Sequence, residues 1–384
     1  MSAATDGPTT PPIEPVFVDE GSAVRAALAS IDAPVLGIDV ERADADRYFR
    51  SAALVQIGTA EGCVLLDTVA LDELHDLDTL LDDDHLAVLH AADNDLAPLQ
   101  ALGVSVDRIA DTAVAAALLG LPTGLSRLLE DLVGVHLSDD KNAFQRADWE
   151  QRPLPPDMAA YAAGDVVHLP ALWSVLAERL EDQGRTSWYA EELAATIARA
   201  GEDTRDWTRV KGAGRLDPGQ RAILRALWEA REAEARTHDI APNRLIHDDV
   251  LRELAIDPPR TEAQLVRRSP RRRGLLRQHA PALFAGLESG RVAAPQPRPD
   301  SSRWTEVERG IHDALRSRRA QVAEEIGLEA GVLCPSKVLS AAVMGEPEDG
   351  VELCALAGLR AWQTGLLAEP LWEAYVAARE RTAD

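Results

Sequence analysis

Between Val16 and about Leu137 the chain alternates short apolar runs with stretches of helical periodicity. The runs PVLGIDV (34–40), ALVQIGT (53–59), CVLLDT (63–68) and LAVLHA (86–91) have the length and apolar content of buried strands. Segments such as SAVRAALASI and DLAPLQAL between them read as crossing helices, which together predict an α/β domain. Residues 111–132 read as two helices divided by a Pro and Gly turn, and from residue 153 to about 200 the pattern is helical throughout.

A polar, glycine-containing stretch, RDWTRVKGAGRLDPGQ, then leads into a wholly helical region at 217–290. A second break, RVAAPQPRPDSS at 291–302, is rich in Pro and poor in apolar residues, as linkers are. The last segment is again helical. In both helical segments a long helix (RAILRALWEAREAEA; ERGIHDALRSRRAQVAEEIGL) is followed by a polar turn and a shorter helix (DDVLRELA; PSKVLSAAVM), a pattern compatible with a duplicated module.

One strand breaks its own pattern. VLGIDVERAD (35–44) begins as a core strand and then places two carboxylates, Asp39 and Glu41, where apolar residues are expected. Alternation along a strand puts both on one face and turns Val40 to the other. Alone, such a pair is a strand running out into solvent. Three further carboxylates share its half of the chain: Asp95 near a helix start, Asp111 before Thr112 at another, where capping alone would explain it, and Asp165 four residues after Tyr161 on one helical face. Asp39, Glu41, Asp95 and Asp165 together offer the all-oxygen donor set that Mg²⁺ or Mn²⁺ prefers.

Composition narrows the classes. At 384 residues the chain is long enough for two or three domains. Cys63, Cys334 and Cys354 are widely separated and odd in number, which argues against a disulfide framework or a thiolate zinc site and for a reducing, cytoplasmic setting. MSAATDGPTTPPIEP is expected to be a short disordered tail without the order of a signal peptide, and no apolar run approaches the length needed to cross a membrane. No G-x-G-x-x-G or P-loop pattern is present, so no nucleotide cofactor is expected.

The net charge of −24 looks hostile to nucleic acid until its distribution is counted. Residues 1–200 hold 35 acids against 12 Lys and Arg; the remainder holds 29 against 28. Within it, residues 260–303 carry ten Arg and three acids, centred on VRRSPRRRGLLRQH. That run reads equally as a solvated helix end and as a grip for phosphates. LDELHDLDTLLDDDHL reads as a solvated acidic face.

In order and spacing, GIDVE, HAADNDL, DTAVAAAL, LSRLLEDLVGV, K…FQRADW…RPLP and YAAGDVVHL resemble the ribonuclease D family of 3′-to-5′ exonucleases, the DEDD superfamily members whose fifth residue is Tyr. The resemblance implies an α/β ribonuclease H-like exonuclease domain, a mixed sheet flanked by helices, over residues 16–202 after a tail at 1–15. Residues 203–290 resemble the helicase-and-RNase-D C-terminal (HRDC) domain. After a linker at 291–302, residues 303–384 look like a second, divergent all-α HRDC-like bundle.

The implied activity is hydrolysis of phosphodiesters from RNA 3′ ends by two divalent ions, Mg²⁺ or Mn²⁺, releasing 5′-monophosphate nucleotides in maturation of tRNA precursors or other structured RNA. Asp39 would bridge both ions, Glu41 and Asp165 would complete the site holding the attacking water, Asp95 would support the second ion, and Tyr161 would orient the water. Lys141, Gln145 and Arg146 would either contact the substrate backbone or pack a loop over the site. Ala147 and Gly164 stand where the family commonly has Ser and Ala. A monomer suffices for this reading. Two alternatives share the same carboxylates: a 3′-to-5′ DNA exonuclease, and an inactive nucleic-acid-binding scaffold, which would be expected to have lost a ligand.

Overall fold

The structure, a computed structural model, describes residues 14–42, 47–49, 51–71, 74–81, 85–137, 144, 147–202, 205–268, 273–298 and 304–381. Its packing divides the chain into two compact units: residues 1–42, 52–201 and 307–384 in one, residues 43–51 and 202–306 in the other.

The first unit is built on a six-stranded mixed sheet. Its strands are β1 (Val16–Val18), β2 (Val35–Arg42), β3 (Ala52–Gly58), β4 (Cys63–Leu66), β5 (Leu86–Leu89) and β6 (Ile109–Asp111), in the order β1-β4-β3-β2-β5-β6. The four apolar runs of the sequence are β2 to β5, and β1 and β6 add short parallel margins. β2 lies centrally, antiparallel to β3 and parallel to β5. Leu36, Ile38 and Val40 of β2 enter a core with Val55, Ile57, Val64, Leu66, Ala87 and Leu89, so the alternation expected of this strand holds. Helices α1 (Gly21–Leu28), α2 (His75–Leu81) and α3 (Leu96–Ala101) cover that face through Val24, Leu28, Leu77, Leu81 and Leu99. Helix α2 belongs to the acidic stretch; it buries Leu77 and Leu81, and Asp76 meets Arg25 while Asp78 accepts from the Ser105 N–H.

The odd-numbered face of β2, carrying Gly37, Asp39 and Glu41, is covered by other helices. After α4 (Thr112–Leu118) and α5 (Leu125–Leu128), which runs into a π turn at Leu129–Val133, come α6 (Pro156–Val167), α7 (Leu169–Asp182) and α8 (Thr186–Arg199). A Cβ added at Gly37 would lie 2.0 Å from the Val166 carbonyl oxygen, and one at Gly58 2.7 Å from the Val166 carbonyl carbon. Only glycine at both positions lets α6 settle onto the sheet backbone.

The C-terminal helices α14 (Glu306–Glu325), α15 (Ala330–Leu333), α16 (Leu339–Met344), α17 (Gly350–Leu356) and α18 (Ala361–Arg381) pack in this same unit. Arg185 donates to the carbonyls of Leu118 and Ile326, both at 2.6 Å, so one guanidinium joins the ends of α4 and α14. Trp362 stacks on Trp188 with ring centroids 4.9 Å apart and donates its indole N–H to Glu192 at 2.9 Å; Arg360 pairs with the same carboxylate.

The second unit holds α9 (Pro218–Thr237), α10 (Pro242–Leu245), α11 (Asp248–Ile256), α12 (Glu262–Arg267) and α13 (Arg273–Val292). Asp217 opens α9 with a capping box. The described residues of the β2–β3 turn belong here: Asp239 accepts from the N–H groups of Tyr48 and Phe49, and Arg205 lies 4.0 Å above the Tyr48 ring.

The helices of the two all-α segments follow one plan, long, very short, two intermediate, long. Buried Arg231 of α9 donates to the Ile246 carbonyl just after α10; buried Arg319 of α14 donates to the Cys334 carbonyl just after α15. Thr261 and Asp349 each cap the following helix by accepting from its third N–H. Each such pair is 88 positions apart, as are the buried identities Leu227 and Leu315, Ala235 and Ala323, Leu245 and Leu333, Leu251 and Leu339, Leu265 and Leu353, and Leu283 and Leu371.

Candidate active site

Asp39 and Glu41 project from the odd face of β2, and α6 brings Tyr161 and Asp165 onto that face. One oxygen each of Asp39, Glu41 and Asp165 lies within 4.8 Å of the others. The register between β2 and β3 shifts between Glu41 and Arg42, a bulge immediately beyond the second carboxylate. Asp165 is buried, while Asp39 and Glu41 are partly open to solvent.

Asp95 stands outside this group of three. It follows a 3₁₀ turn, Ala92–Asn94, and opens α3, yet its side chain caps nothing. It is buried, and burial first, then the charges of Asp39, Glu41 and Asp111, push its carboxyl well above the usual range, against a lowering effect of Arg42. A buried acid facing other acids in this way describes a pocket of concentrated negative charge. Burial and the adjacent Asp165 carboxylate, to which its hydroxyl is hydrogen-bonded, push the Tyr161 phenol far above its ordinary value. It is a hydrogen-bond donor at neutral pH, not a base. Across the ladder from Asp39, Gln56 is fully buried, and neither amide atom finds a hydrogen-bond partner among the described residues.

The 3'-5' exonuclease family model matches residues 15–181, and the HRDC domain model matches residues 220–285. A ribonuclease D of Pseudomonas paraeruginosa is 30% identical over 364 residues, covering 90% of this chain and 93% of that protein. The chain belongs to the ribonuclease D family. It is a 3′-to-5′ exoribonuclease, a phosphodiester hydrolase that acts on RNA. Its fold is similar to that of Escherichia coli RNase D (TM-score 0.77, 23% identity, 95% of this chain and 99% of that one). A protein from Bifidobacterium adolescentis is also similar (TM-score 0.75, 28% identity, 94% of this chain and 97% of that one).

Several family motifs serve the scaffold. Asp111 caps α4 by accepting from Ala113 and Val114, as its place before Thr112 implied, and it also accepts from Ala91 and Ala92. Ala91 has a left-handed backbone (φ 64), so Asp111 holds the turn that delivers Asp95. Spacing alone shows no sign of that second task. Tyr189 of α8 accepts from the Asp111 N–H at 2.8 Å. Trp149 is buried, its ring 6.1 Å from that of Tyr161, and Phe144 lies 5.2 Å from Tyr161 on the adjoining segment. Arg152 of RPLP is committed to Asp67, to the carbonyls of Trp149 and Ala53, and to the Phe17 ring. A Cβ at Gly164 would make only an ordinary contact with Leu137, so close backbone approach is not the reason for glycine there. Lys141, Gln145 and Arg146 lie outside the described residues. Arg42, beside the acids, is the charged neighbour that the motif reading passed over.

Proposed function

We propose that Asp39, Glu41, Asp95 and Asp165 hold two divalent cations, Mg²⁺ or Mn²⁺, and that Tyr161 orients the attacking water during removal of 5′-monophosphate nucleotides from RNA 3′ ends. The observation that carries this reading is the convergence of Asp39, Glu41 and Asp165 within 4.8 Å, with buried Asp95 repelled by the same charges. An all-oxygen, all-anionic set suits hard divalent cations, and the buried amide of Gln56 beside it suits a polar, hydrated site. Asp39, Glu41 and Asp165 would hold one ion, and Asp39 with Asp95 would hold a second.

Bound there, divalent cations lower the pKa of water and neutralise charge on the attacking and leaving oxygens. The chain's own part is placement. β2 fixes Asp39 and Glu41 two residues apart on one face, α6 fixes Asp165 against them, and Asp111 fixes the turn before Asp95. Tyr161, protonated and bonded to Asp165, offers its oxygen as a fixed hydrogen-bonding point for water without taking the proton.

The proposal extends to partners. Structured RNA such as tRNA precursors is the proposed substrate, the cytoplasm the proposed site of action and a monomer the proposed form. Among the described residues no helix is long and apolar enough to cross a membrane. In the second unit Arg260, Arg267 and Arg268 line a cavity of about 460 Å³ with Gln264, and Arg268 pairs there with Asp257. Guanidinium groups so clustered suit phosphate oxygens. The centre of the Arg-rich run, residues 269–272, lies outside the described residues. The constant 88-residue offset between equivalent buried positions supports reading 303–384 as a second HRDC-like module and 203–290 as the first.

Matched 5′-labelled RNA and DNA strands, with single-stranded or paired 3′ ends, test this reading. A ladder shortening from the RNA 3′ end in Mg²⁺ supports it, equal or faster loss of DNA favours the DNA exonuclease, and retention of RNA without product favours the scaffold.

A further inference from the structure

A second cluster of metal-ligating side chains lies in the helical unit. Glu234 lies in the last turn of α9 and His238, four residues on, is the residue that closes the helix, so both reach the same side, and His279 of α13 packs against them. One ligand atom of each lies within 4.8 Å of the others. The Glu234 Oε2 atom is 2.8 Å from His279 Nδ1 and 3.6 Å from His238 Nε2, and the two imidazoles meet edge to face at 4.8 Å.

Tetrahedral donors about 2.0–2.1 Å from a zinc ion stand about 3.4 Å from one another, within the range spanned here. Burial grades across the cluster: His279 is 6% exposed, the Glu234 side chain 24% and the His238 side chain 50%. The site is therefore anchored in the core and open on one side, which leaves an entry path and a position for water.

The duplicated helical plan supplies an independent observation. At the same 88-residue offset, Glu234, His238 and His279 correspond to Val322, Ile326 and Leu367. Val322 and Leu367 are buried core residues there. The equivalent positions are thus filled by apolar side chains in one segment, two of them buried, and the polar trio in the other is no requirement of the helical plan. A hydrogen-bonded Glu234–His279 pair accounts for one imidazole. It gives no reason for a second imidazole turned to the same oxygen.

We infer that Glu234, His238 and His279 form a site for a transition-metal ion of the zinc type, held by two imidazoles and one carboxylate with a fourth position open. Two nitrogen donors favour zinc, cobalt or nickel over the Mg²⁺ and Mn²⁺ suited to the carboxylate group around Asp39. The ligands also sit at the end of α9 where Asp239 and Arg236 hold Tyr48, so an ion there would stiffen the helix end that carries the β2–β3 turn.

Tag-free full-length protein titrated with Zn²⁺ in excess Mg²⁺ tests the site, with bound metal counted by mass spectrometry and Co²⁺ substitution read by visible absorption. One equivalent should bind, persist in Asp39→Asn, and show the absorption of four-coordinate cobalt. His238→Ala, at a half-exposed position that the fold tolerates, should weaken zinc by more than the roughly 10–100-fold that loss of an outer-sphere partner costs, and His279→Gln likewise. Zinc uptake unchanged in His238→Ala, or no uptake beyond that removed by Asp39→Asn, overturns the proposal.

Discussion

Gly37 and Val166 approach so closely that a single added carbon on Gly37 would stand 2.0 Å from the Val166 carbonyl oxygen. Gly37 lies two residues before Asp39 on the same face of β2, and Val166 follows Asp165 in α6. This contact therefore sets the distance between the acids supplied by the strand and the acid supplied by the helix. Gly37→Ala is expected to force the helix away, lowering stability by about 1–3 kcal/mol as overpacking does. Turnover should fall further than stability at saturating RNA explains. Urea unfolding and single-turnover rates on the same preparation check both.

As a proposed metal ligand, Asp95 is expected to connect metal to stability. In metal-free protein its carboxyl is raised by burial and by Asp39, so in the folded state it resists ionisation. The stability this gives is present below the ordinary carboxylate pKa and is lost as pH rises through the raised, folded-state value. At pH 7 in chelator, Asp95→Asn is expected to raise the urea midpoint above that of the unmodified chain. Mg²⁺ should raise the midpoint of the unmodified chain more than that of the variant. Equal responses to Mg²⁺ would separate Asp95 from the metal.

Tyr161→Phe removes the hydroxyl and keeps the ring against Phe144 and Trp149. The expected result is a fall of about 10²-fold in kcat, the scale of a misplaced reactant, with KM little changed. Because the phenol titrates far above its ordinary value near 10, the unmodified enzyme should lose no rate to its ionisation as pH rises from 8 to 10. A pH–rate profile over that range reads this directly.

Trp362 tests whether the C-terminal helices are held to the exonuclease sheet as one unit. It is 5% exposed, stacks on Trp188 and donates to Glu192. Trp362→Ala is expected to cost about 3–5 kcal/mol in global unfolding. A change confined to a separate, earlier transition would show that residues 307–384 unfold on their own.

The central strands were legible because β3 and β4 are buried along their whole length and β2 and β5 over much of theirs, so that they spell continuous apolar runs, and in such a run Asp39 and Glu41 stand out. The margins were not, since β1 and β6 are three residues each, VFV and IAD, too short to show a period. Asp111 was readable as a cap from its neighbour Thr112, while its hold on Ala91 and Ala92 arises only once β6 lies beside β5. The Trp188–Trp362 contact joins residues on opposite sides of the helical unit in the sequence, and no local spacing announces it. In the helical segments the shared order of long helix, polar turn and shorter helix is legible in the sequence, whereas the 88-residue offset of the buried Leu, Ala and Arg positions shows only once burial is known. Motif order named the candidate acids; the convergence of Asp39, Glu41 and Asp165 arises only once α6 settles on Gly37 and Gly58.

The carboxylates gathered on β2 and α6 are proposed to hold the cations on which RNA cleavage depends. Asp39, shared between the two proposed ion positions, is the most exacting point of that proposal. On a 5′-labelled RNA in Mg²⁺, the unmodified chain should produce a ladder shortening from the 3′ end. Asp39→Asn should retain the RNA in a binding assay and lose more than about 10²-fold in cleavage rate, the scale of removing one group that stabilises transition-state charge. Cleavage undiminished in Asp39→Asn, with folding and RNA binding intact, would contradict the account.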